Sequence, residues 1–280
     1  MKTILIAAVM MAMPGGAYAA KLFEPAVKAL AGAGSVPAPV ISKFYNESAG
    51  PVAPVKWVSI NGGKLMMGTT TNDKTFGDSG PVREVDVKTF EMAKTAVTVA
   101  QYAECVAQGR CTEPAAGEHC NWGKIGRQLH PVNCVDWDQA QAYAKFEGAR
   151  LPSEAEFEYA ATSGGRTQKY PWGDEEANSE LAVMDTYGTL PVCSRPGGNT
   201  AQGLCDMAGN VSQWVQDAYA DSYSGAPVDG GAVEGPGSDR VVRGGSYLNF
   251  DARLLRAYYR NFFNPGRRYG SIGFRLARSR

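Results

Sequence analysis

Residues 150–161 read RLPSEAEFEYAA. Ser153 and Glu156 have the spacing of a capping box, in which each side chain accepts a hydrogen bond from the backbone amide of the other residue. Pro152 comes just before them, and a helix rarely extends backward through a proline. This stretch therefore predicts a helix over Glu154–Ala161.

Two further helices are predicted upstream of this one. The first covers Val99–Ala107, where Thr98 can act as the cap. The second covers Trp137–Glu147, where Asp136 caps, Gln139 completes a capping box and a glycine follows as the stop.

Strands are predicted on either side of the helices. Lys56–Ile60 and Lys64–Gly68 flank a Gly-Gly turn and predict a hairpin, and Arg83–Phe90 alternates apolar and polar residues like another strand. Near the end of the chain, Val241–Val242 and Ile272–Leu276 predict a closing strand pair.

Between residues 164 and 239 regular periodicity disappears, because Gly, Pro, Asn and Asp dominate. So much irregular chain in one domain normally needs disulfides, metal ions or dense turn hydrogen bonding to stay ordered. The predicted fold class is α+β over residues 56–280, with two main helices, short antiparallel strands and many irregular loops.

The first residues predict an export signal. Lys2 precedes the apolar run Ile4–Met13, and AYA at residues 17–19 has the small-x-small pattern of a cleavage site, so residues 1–19 are a predicted signal peptide. The run is too short for a membrane anchor, and no later stretch is long enough for a membrane span. We expect a periplasmic or extracellular protein, with residues 20–55 as a Pro- and Ala-rich leader or linker.

All six cysteines lie inside the predicted domain. An even number in an exported chain favours disulfides, whereas two His and the lack of a C-x-x-C pattern give little support to a zinc site. Many connectivities are possible for six cysteines. We favour sequence neighbours, because each such pair closes one local loop: Cys105 with Cys111, Cys120 with Cys134, and Cys193 with Cys205.

The charge balance excludes some classes of partner. Lys plus Arg and Asp plus Glu number 28 each, so no global charge points to nucleic acid or to a membrane surface. Arg240–Arg280 is locally basic, with Asp251 as its single acid. Such a strip can bind an anionic partner, or it can be a solvated face whose Arg side chains pack on aromatic rings.

Eight short motifs occur in the order found in one known family. They are VSINGGKLMMG (58–68), KTAVTVAQY (94–102), HPVNCVDW (130–137), RLPSEAEFEYAA (150–161), YPWG (170–173), GLCDMAGNVSQW (203–214), RGGSY (243–247) and GFRL (273–276). The sequence resembles the formylglycine-generating-enzyme, or sulfatase-modifying factor, family. The resemblance implies a C-type-lectin-like core enlarged by loops.

The oxidase members of that family use two Cys that bind copper and activate oxygen, thereby converting a substrate Cys to formylglycine. The resemblance places those Cys at Asn249 and Leu254, and neither residue can replace a thiolate, the soft ligand that holds copper(I). A Trp of the family's oxygen pocket is Ser212 here, although the pocket Ser is retained as Ser246. We therefore expect no copper chemistry and assign no catalytic residue. The sulfoxide-synthase relatives bind iron through three His, and this chain has two.

The family also binds calcium at a motif that is partly retained here. The resemblance implies a possible calcium site at Asp206 and Gln213, with the carbonyls of Gly209 and Val211. The family's Glu is Gln213 in this chain, and the lost charge should weaken binding, since calcium prefers charged oxygens. The alternative is that Asp206 and Asn210 only tie the turn together through Asx hydrogen bonds.

Residues 244–280 predict a binding surface. Aromatic residues and eight Arg crowd into this stretch, which has little periodicity. So many rings cannot all enter a core through irregular chain, and Tyr, Asn, Ser, Gly and Arg are typical of adaptable binding loops. The alternative is that most of these rings fill the core.

This region resembles the variable region of proteins targeted by diversity-generating retroelements. The resemblance rests on a framework of RGGS-aromatic, then A-R-x-x-R-A-x-x-R-x-x-x-x-P-x-x-R, then IGFRLA. Mutagenesis by these retroelements randomises adenines, commonly in Asn codons. Such codons cannot become Lys, Glu, Gln, Met or Trp. These five types make up 50 of the 280 residues, yet residues 244–280 contain none of them, where about six or seven are expected from composition. The resemblance implies a variable region within 244–276, with these ligand-binding residues: Tyr247, Leu248, Asn249, Phe250, Leu254, Leu255, Tyr258, Tyr259, Asn261, Phe262, Phe263, Asn264, Arg267 and Tyr269.

The leading hypothesis is an exported protein that binds an unknown protein or surface ligand through this C-terminal region, with the loops of residues 170–200 as further contributors. The alternative is an enzyme of the family, either an oxidase or a periplasmic metabolite-maturation enzyme with non-copper chemistry, since one branch matures siderophore chromophores. Such an enzyme needs a convergent acid, base or metal, for which Asp185, Asp206 and His130 are the candidates. No motif brings these three together.

Overall fold

A computed structural model describes residues 52–71, 73–235 and 239–280 of the chain. The predicted signal peptide, residues 1–19, and most of the predicted leader, residues 20–55, lie outside this range. In the part of the chain that is described, no helix has both the length and the apolar character of a membrane span.

Three α-helices begin at the predicted caps. They are α1 (Val99–Ala107), α2 (Trp137–Phe146) and α3 (Glu154–Ala161). Each starts with a complete capping box, in which two backbone amides that would otherwise lack partners are satisfied reciprocally. All residues of α3 are buried, so this short third helix lies inside the domain.

The strands of the described residues form three small sheets. They are β1 (Trp57–Ile60), β2 (Gly63–Met67), β3 (Arg83–Val87), β4 (Phe90–Ala93), β5 (Ser212–Ala218), β6 (Arg240–Arg243), β7 (Arg260–Phe263), β8 (Ile272–Phe274) and β9 (Ala277–Ser279). The sheet orders are β1-β4-β9, β2-β3 and β7-β6-β5-β8. Every pair is antiparallel except β5 with β8, which is parallel. The α+β class is confirmed.

Two strand-pairing predictions are wrong. The predicted hairpin over residues 56–68 does not form, because β1 pairs with β4 and β2 pairs with β3. A Cβ on Gly62 would lie 2.4 Å from the Val87 carbonyl oxygen, so the chain between β1 and β2 packs against the β3–β4 turn. The predicted closing pair is also separated, since β5 lies between β6 and β8. In both cases the strand pairs with a partner that is distant in sequence, and the residues of the local turn do not predict that partner.

The four-stranded sheet lies between two apolar clusters. Trp214 and Val242 face the cluster that contains α1 and α2. Their neighbours in the same strands, Val215 and Val241, face the cluster that contains α3 and the β2–β3 pair. This alternation buries both faces of the sheet, so the C-terminal end of β6 emerges from a rigid centre.

The three predicted disulfides are confirmed. They join Cys105 to Cys111, Cys120 to Cys134, and Cys193 to Cys205. The second and third close loops of the irregular regions before α2 and β5, where backbone pairing is sparse. Cross-links of this kind stabilise mainly by restricting the unfolded chain.

Candidate functional site

The terminal segment, residues 247–271, begins just after β6. Gly244 and Gly245 form the exit from the sheet, with φ values of 89° and 62°. A Cβ on Gly244 would lie 2.7 Å from the Met207 carbonyl oxygen, and one on Gly245 would lie 2.6 Å from the Leu254 carbonyl oxygen. Because only glycine fits such close approaches at positive φ, the RGGS motif determines where the terminal segment starts.

Two exposed side chains stand at the start of this segment, and a third belongs to the loop that is hydrogen-bonded to it. Leu248 and Phe250 are 57% and 79% exposed. Main-chain hydrogen bonds of 2.9 and 3.0 Å join residues 247–249 to residues 185–186. The next residue of that loop is Tyr187, whose side chain is 99% exposed. We call Tyr187, Leu248 and Phe250 the apolar surface.

Sequence reasoning named the loops of residues 170–200 but did not single out Tyr187. This tyrosine lies in the irregular region, where no periodicity distinguishes an outward-facing ring from a buried one. The nearby Tyr170, which stands in the YPWG motif, is 1% exposed. The main-chain hydrogen bonds between two distant stretches bring the loop of Tyr187 to the start of the segment.

Asn249 and Leu254 stand where the family resemblance places the copper ligands. The Oδ1 atom of Asn249 accepts a hydrogen bond from the Ser246 backbone amide at 2.7 Å, which stabilises the turn. Leu254 is half-buried. All six cysteines of the chain are consumed by the three disulfides. The position therefore offers an amide and an aliphatic side chain, and neither is a ligand for copper(I).

Other aromatic candidates contact the body of the domain as well as solvent. Tyr258 and Tyr259 are half-buried and meet Phe76 edge-on, with centroid distances of 5.2 and 6.1 Å. Phe262 stacks on Tyr219 at 3.7 Å and remains 38% exposed. These rings therefore contribute to packing, so they are less freely available than Leu248 and Phe250.

The remaining candidates form a separate group around Tyr269, which is 40% exposed. The rings of Phe263 and Tyr269 lie 5.2 Å apart, and the Arg267 guanidinium lies 6.0 Å from the Tyr269 ring. The side-chain oxygen of Asn261, in β7, accepts a hydrogen bond from the Phe262 amide at 2.8 Å, and that of Asn264 accepts one from the Gly266 amide at 3.1 Å. Among the described residues, the ring contacts of this group involve Phe263, Arg267 and Tyr269 and none of the three residues of the apolar surface.

Two predicted ligand contacts need correction. Tyr247 and Leu255 are 1% and 0% exposed, so neither side chain is available to a ligand at the surface. Leu255 packs in an apolar cluster with Tyr170 and Met184. The aromatic stretch is thus divided, because some of its rings fill the core and others face solvent.

Buried charges lie beneath the terminal segment. Arg260 forms bonds of 2.8 and 2.9 Å to the Glu154 carboxylate, and Arg243 binds the Glu158 carboxylate. Burial raises the pKa of Glu158. Burial, together with the nearby Glu154 carboxylate, raises the pKa of Asp217 to about 7. These groups connect α3 with β5, β6 and β7, so they hold the base of the segment.

Much of the basic strip is neutralised within the domain. Arg253, Arg268 and Arg278 form ion pairs with acidic side chains at 2.7, 2.6 and 2.7 Å. The Arg278 guanidinium also lies 4.3 Å from the Trp57 ring. This arrangement matches the alternative in which Arg side chains pack on aromatic rings, and it gives no support to a large anion-binding surface.

The suggested calcium ligands are arranged as a protein hydrogen-bond network. The Nε2 atom of Gln213 donates a hydrogen bond to the Asp206 carbonyl at 2.9 Å. Its Oε1 atom accepts a hydrogen bond from the buried Arg275 guanidinium at 2.5 Å. The Asp206 carboxylate accepts from the Cys193 backbone amide at 2.8 Å. Calcium requires about six to eight converging oxygens, preferably charged, and a neighbouring guanidinium opposes a second cation.

The residues present therefore do not fit calcium. Of the predicted set Asp206, Gly209, Val211 and Gln213, this argument concerns Asp206 and Gln213. Among the described residues there is also no cluster of three His, Cys, Asp or Glu side chains that could hold a metal ion.

The candidate acid–base groups do not converge. His130 Nδ1 lies 2.9 Å from the Thr189 hydroxyl, and burial with the adjacent Arg127 lowers the pKa of His130 to about 4. Asp185 is exposed, while Asp206 is buried against Cys193. None of the hydrogen bonds found in the described parts of the chain links Asp185, Asp206 and His130 to one another.

Comparison with known proteins places the chain in a family. The model of the sulfatase-modifying factor enzyme 1-like domain matches residues 46–280. The chain belongs to this family. The formylglycine-generating enzyme of Streptomyces coelicolor is 31% identical over 302 residues, covering 87% of this chain and 95% of that protein. The serine/threonine-protein kinase pkn1 of Chlamydia caviae is 33% identical over 264 residues, and the match spans 86% of this chain but 41% of the kinase.

Solved structures support the fold of this sulfatase-modifying factor domain. PvdO from Pseudomonas aeruginosa is similar with a TM-score of 0.68 and 30% identity, covering 80% of this chain and 94% of PvdO. Treponema denticola variable protein 1 is similar with a TM-score of 0.65 and 24% identity, covering 82% of this chain and 100% of that protein. The fold is therefore the C-type-lectin-like fold of the formylglycine-generating-enzyme family.

Proposed function

We propose that this member of the sulfatase-modifying factor family is an exported ligand-binding protein. Its recognition surface centres on Tyr187, Leu248 and Phe250, with the group around Tyr269 as a second contact region. The observation that carries the proposal is the exposure of Leu248 and Phe250, at 57% and 79%, on either side of Asn249. Large exposed apolar side chains on ordered backbone are typical of interaction sites.

The residue chemistry supports binding over the family's copper reaction. Copper(I) needs soft ligands, and the two expected positions hold Asn249 and Leu254 while every cysteine is in a disulfide. Anaerobic titration with copper(I), followed by incubation with a Cys-containing sulfatase peptide and oxygen, should give neither tight copper binding nor formylglycine. Turnover in that assay would refute the loss of the oxidase activity.

The proposal extends to a variable region of the retroelement type. Framework residues of the motif such as Ala252, Ala257 and Arg260 are buried, whereas the candidate variable residues Leu248 and Phe250 are exposed. This division is what a stable fold with a changeable surface requires, and it agrees with the lack of Lys, Glu, Gln, Met and Trp in residues 244–280.

Genomic DNA tests this part of the proposal directly. The locus should hold a near-copy of the last roughly 110 bases of the gene that differs at template adenines, beside a reverse-transcriptase gene. A locus without both features would rule out the retroelement origin, and the binding role would then depend on the surface residues alone.

Export is proposed on the cysteine chemistry. Three disulfides in one domain are typical of proteins from oxidising compartments. A reporter that is active only outside the cytoplasm should give signal when it is fused to residues 1–55. Retention of the fused reporter in the cytoplasm, without signal, would contradict the proposal.

A non-copper enzyme is the second candidate, because PvdO is similar over 94% of its length at 30% identity. Such chemistry needs converging catalytic groups. If Asp185 or His130 were catalytic, replacing each by Asn or Gln would abolish turnover of a siderophore-chromophore precursor without changing folding. Equal lack of turnover in the wild-type protein and both variants would argue against this candidate.

A further inference from the structure

A cavity of about 560 Å³ lies between the start of α3, the end of β9 and the chain of residues 229–234. Among the described residues that line it, none belongs to the terminal segment. Its volume is within the range of sites that hold small-molecule ligands, about 300–1,000 Å³. Phe90 and Ala232 are the apolar side chains of the described lining, so polar groups make up most of its surface.

The walls of this cavity are held by hydrogen bonds of the scaffold. The Arg150 guanidinium forms two bonds to the Glu156 carboxylate, at 2.6 and 2.7 Å. Across the cavity, the Ser153 hydroxyl donates to the Gly230 carbonyl at 2.7 Å, which fastens the chain of residues 229–234 to the start of α3. The cavity is therefore preformed, and a ligand can enter without rearranging the backbone.

Two half-buried glutamines line the cavity as a hydrogen-bonded pair. The Nε2 atom of Gln141, in α2, donates to the Oε1 atom of Gln216, in β5, at 2.8 Å. No hydrogen bond found among the described residues uses the two remaining atoms, Oε1 of Gln141 and Nε2 of Gln216. The pair thus offers an acceptor beside a donor. A hydroxyl group can donate to the first and accept from the second through one oxygen atom, which a carboxylate or an ammonium group cannot do.

The charges that line the cavity balance one another. Its described lining carries three cationic and three anionic side chains, and one of each sign belongs to the Arg150–Glu156 ion pair. The other four are exposed to solvent: Lys88, Asp229, Glu234 and Arg280. A charged ligand would therefore lose hydration in the cavity without gaining an unpaired buried charge of opposite sign, whereas a neutral ligand avoids that cost.

We propose that this cavity is a separate binding site for a neutral ligand with several hydroxyl groups, such as a short oligosaccharide. One ligand hydroxyl bridges the free atoms of Gln141 and Gln216. The Thr89 hydroxyl accepts a hydrogen bond from the Gly62 amide at 3.0 Å and can donate its own proton to the ligand, and the Ser279 hydroxyl also lines the cavity. The site shares no residue with the proposed recognition surface, so the inference does not rest on the proposed function.

The experiment titrates the isotope-labelled full chain, with its disulfides intact, with maltotriose and with cellotriose. Sugar concentrations up to about 20 mM detect dissociation constants in the millimolar range. At least one of these neutral sugars should shift the NMR signals of the Gln141 and Gln216 side-chain amides and of the Gly230 and Ala232 backbone amides. Trigalacturonate, an anionic trisaccharide, should bind at least about tenfold more weakly, because its carboxylates lose hydration without a buried partner.

Replacing Gln216→Glu tests the role of the glutamine pair. The variant keeps an acceptor for the Gln141 Nε2 atom and turns the donor that faces the ligand into an acceptor. Sugar binding should weaken by about tenfold or more, because the ligand hydroxyl loses its donor. Gln128→Glu is the matched control, since this half-buried glutamine is not among the residues that line the cavity, and its affinity should equal that of the wild type. The thermal midpoint of each variant reports its folding.

Four outcomes would overturn the inference. They are no shift with either neutral sugar, shifts confined to residues 247–271, equal or tighter binding of trigalacturonate, and equal affinity of Gln216→Glu and the wild type. If Gln216→Glu does not fold, the positions of the shifted signals in the wild-type protein still decide between the cavity and other sites. Because the terminal segment has its own amide signals, failure of this site is distinguishable from failure of the proposed function.

Discussion

Replacing Arg243 by Lys probes the attachment of the terminal segment at its most heavily bonded point. The guanidinium is 1% exposed and serves four acceptors with two nitrogens. Nη1 binds the carbonyls of Tyr258 and Tyr259, while Nη2 binds the Glu158 carboxylate and the Ala257 carbonyl. A lysine keeps the positive charge, but a single ammonium nitrogen cannot reach acceptors arranged around a planar fork.

The expected loss of stability follows from those four bonds. The ammonium should keep the Glu158 carboxylate, because leaving a buried charge unpaired is the costliest outcome. At least two of the three carbonyls then lose their donor, and each unsatisfied buried acceptor costs about 1–3 kcal/mol. Two such acceptors give a loss of about 2–6 kcal/mol in the free energy of unfolding, which corresponds to a drop of roughly 4–24 °C in Tm for a domain of this size.

Thermal and urea unfolding, both followed by circular dichroism under non-reducing conditions, measure the change. Arg253→Lys is the matched control, because this exposed Arg pairs with Asp251 and Asp73 and should tolerate the replacement with little change in Tm. A drop in Tm below about 2 °C for Arg243→Lys would refute the reasoning that main-chain bonds to this guanidinium hold the segment.

Three further predictions concern charge, metal and packing. Asp217 has a folded pKa of about 7 against an ordinary value of 3.8, so the folded state keeps the proton to higher pH and loses stability as pH rises from about 4 to about 7. Relative to Asp217→Asn, the free energy of unfolding of the wild type, measured in urea, should fall across this window by up to about 1.4 kcal/mol per pH unit. Parallel profiles of the two proteins would exclude this ionisation. Calcium at millimolar concentration and EDTA should leave Tm unchanged, because the oxygens around Asp206 already accept protein hydrogen bonds; a midpoint that rises with calcium would restore the calcium site. Joint replacement of Tyr258 and Tyr259 by Ala should lower the free energy of unfolding by about 2–4 kcal/mol, since both half-buried rings pack on Phe76. Replacement of both by Phe should lower it far less. Equal Tm values for the two double variants would contradict that packing.

Local features of the sequence were sufficient for the helices and the disulfides. A capping box spans four consecutive residues, so Ser153 with Glu156 specifies a helix start without knowledge of the rest of the fold. The cysteine pairs are likewise close in sequence, with separations of 6, 14 and 12 residues. Strand pairing could not be predicted in this way, because β1 pairs with β4 and β2 pairs with β3 instead of with each other.

The candidate site was predicted in outline and not in detail. Composition and motif order identified the C-terminal region, but exposure depends on what each side chain meets after folding. Leu254 and Leu255 are chemically identical neighbours, yet the first is half-buried and the second is fully buried. The hydrogen bonding of Gln213 was not predictable for a related reason, since Arg275 lies 62 residues away in sequence and reaches the Gln213 side-chain oxygen only in the folded chain.

The sequence by itself determined the family, the helix starts and the replacement of the expected copper ligands by Asn249 and Leu254. These features depend on residue identity and short spacing, which folding does not alter. The tertiary structure alone decided that the loop preceding Tyr187 is hydrogen-bonded to the stretch that carries Leu248 and Phe250, that Tyr247 and Leu255 are buried, and that scaffold donors bind the segment's carbonyls. Those features join residues distant in sequence, and such contacts exist only once the long-range hydrogen bonds have formed.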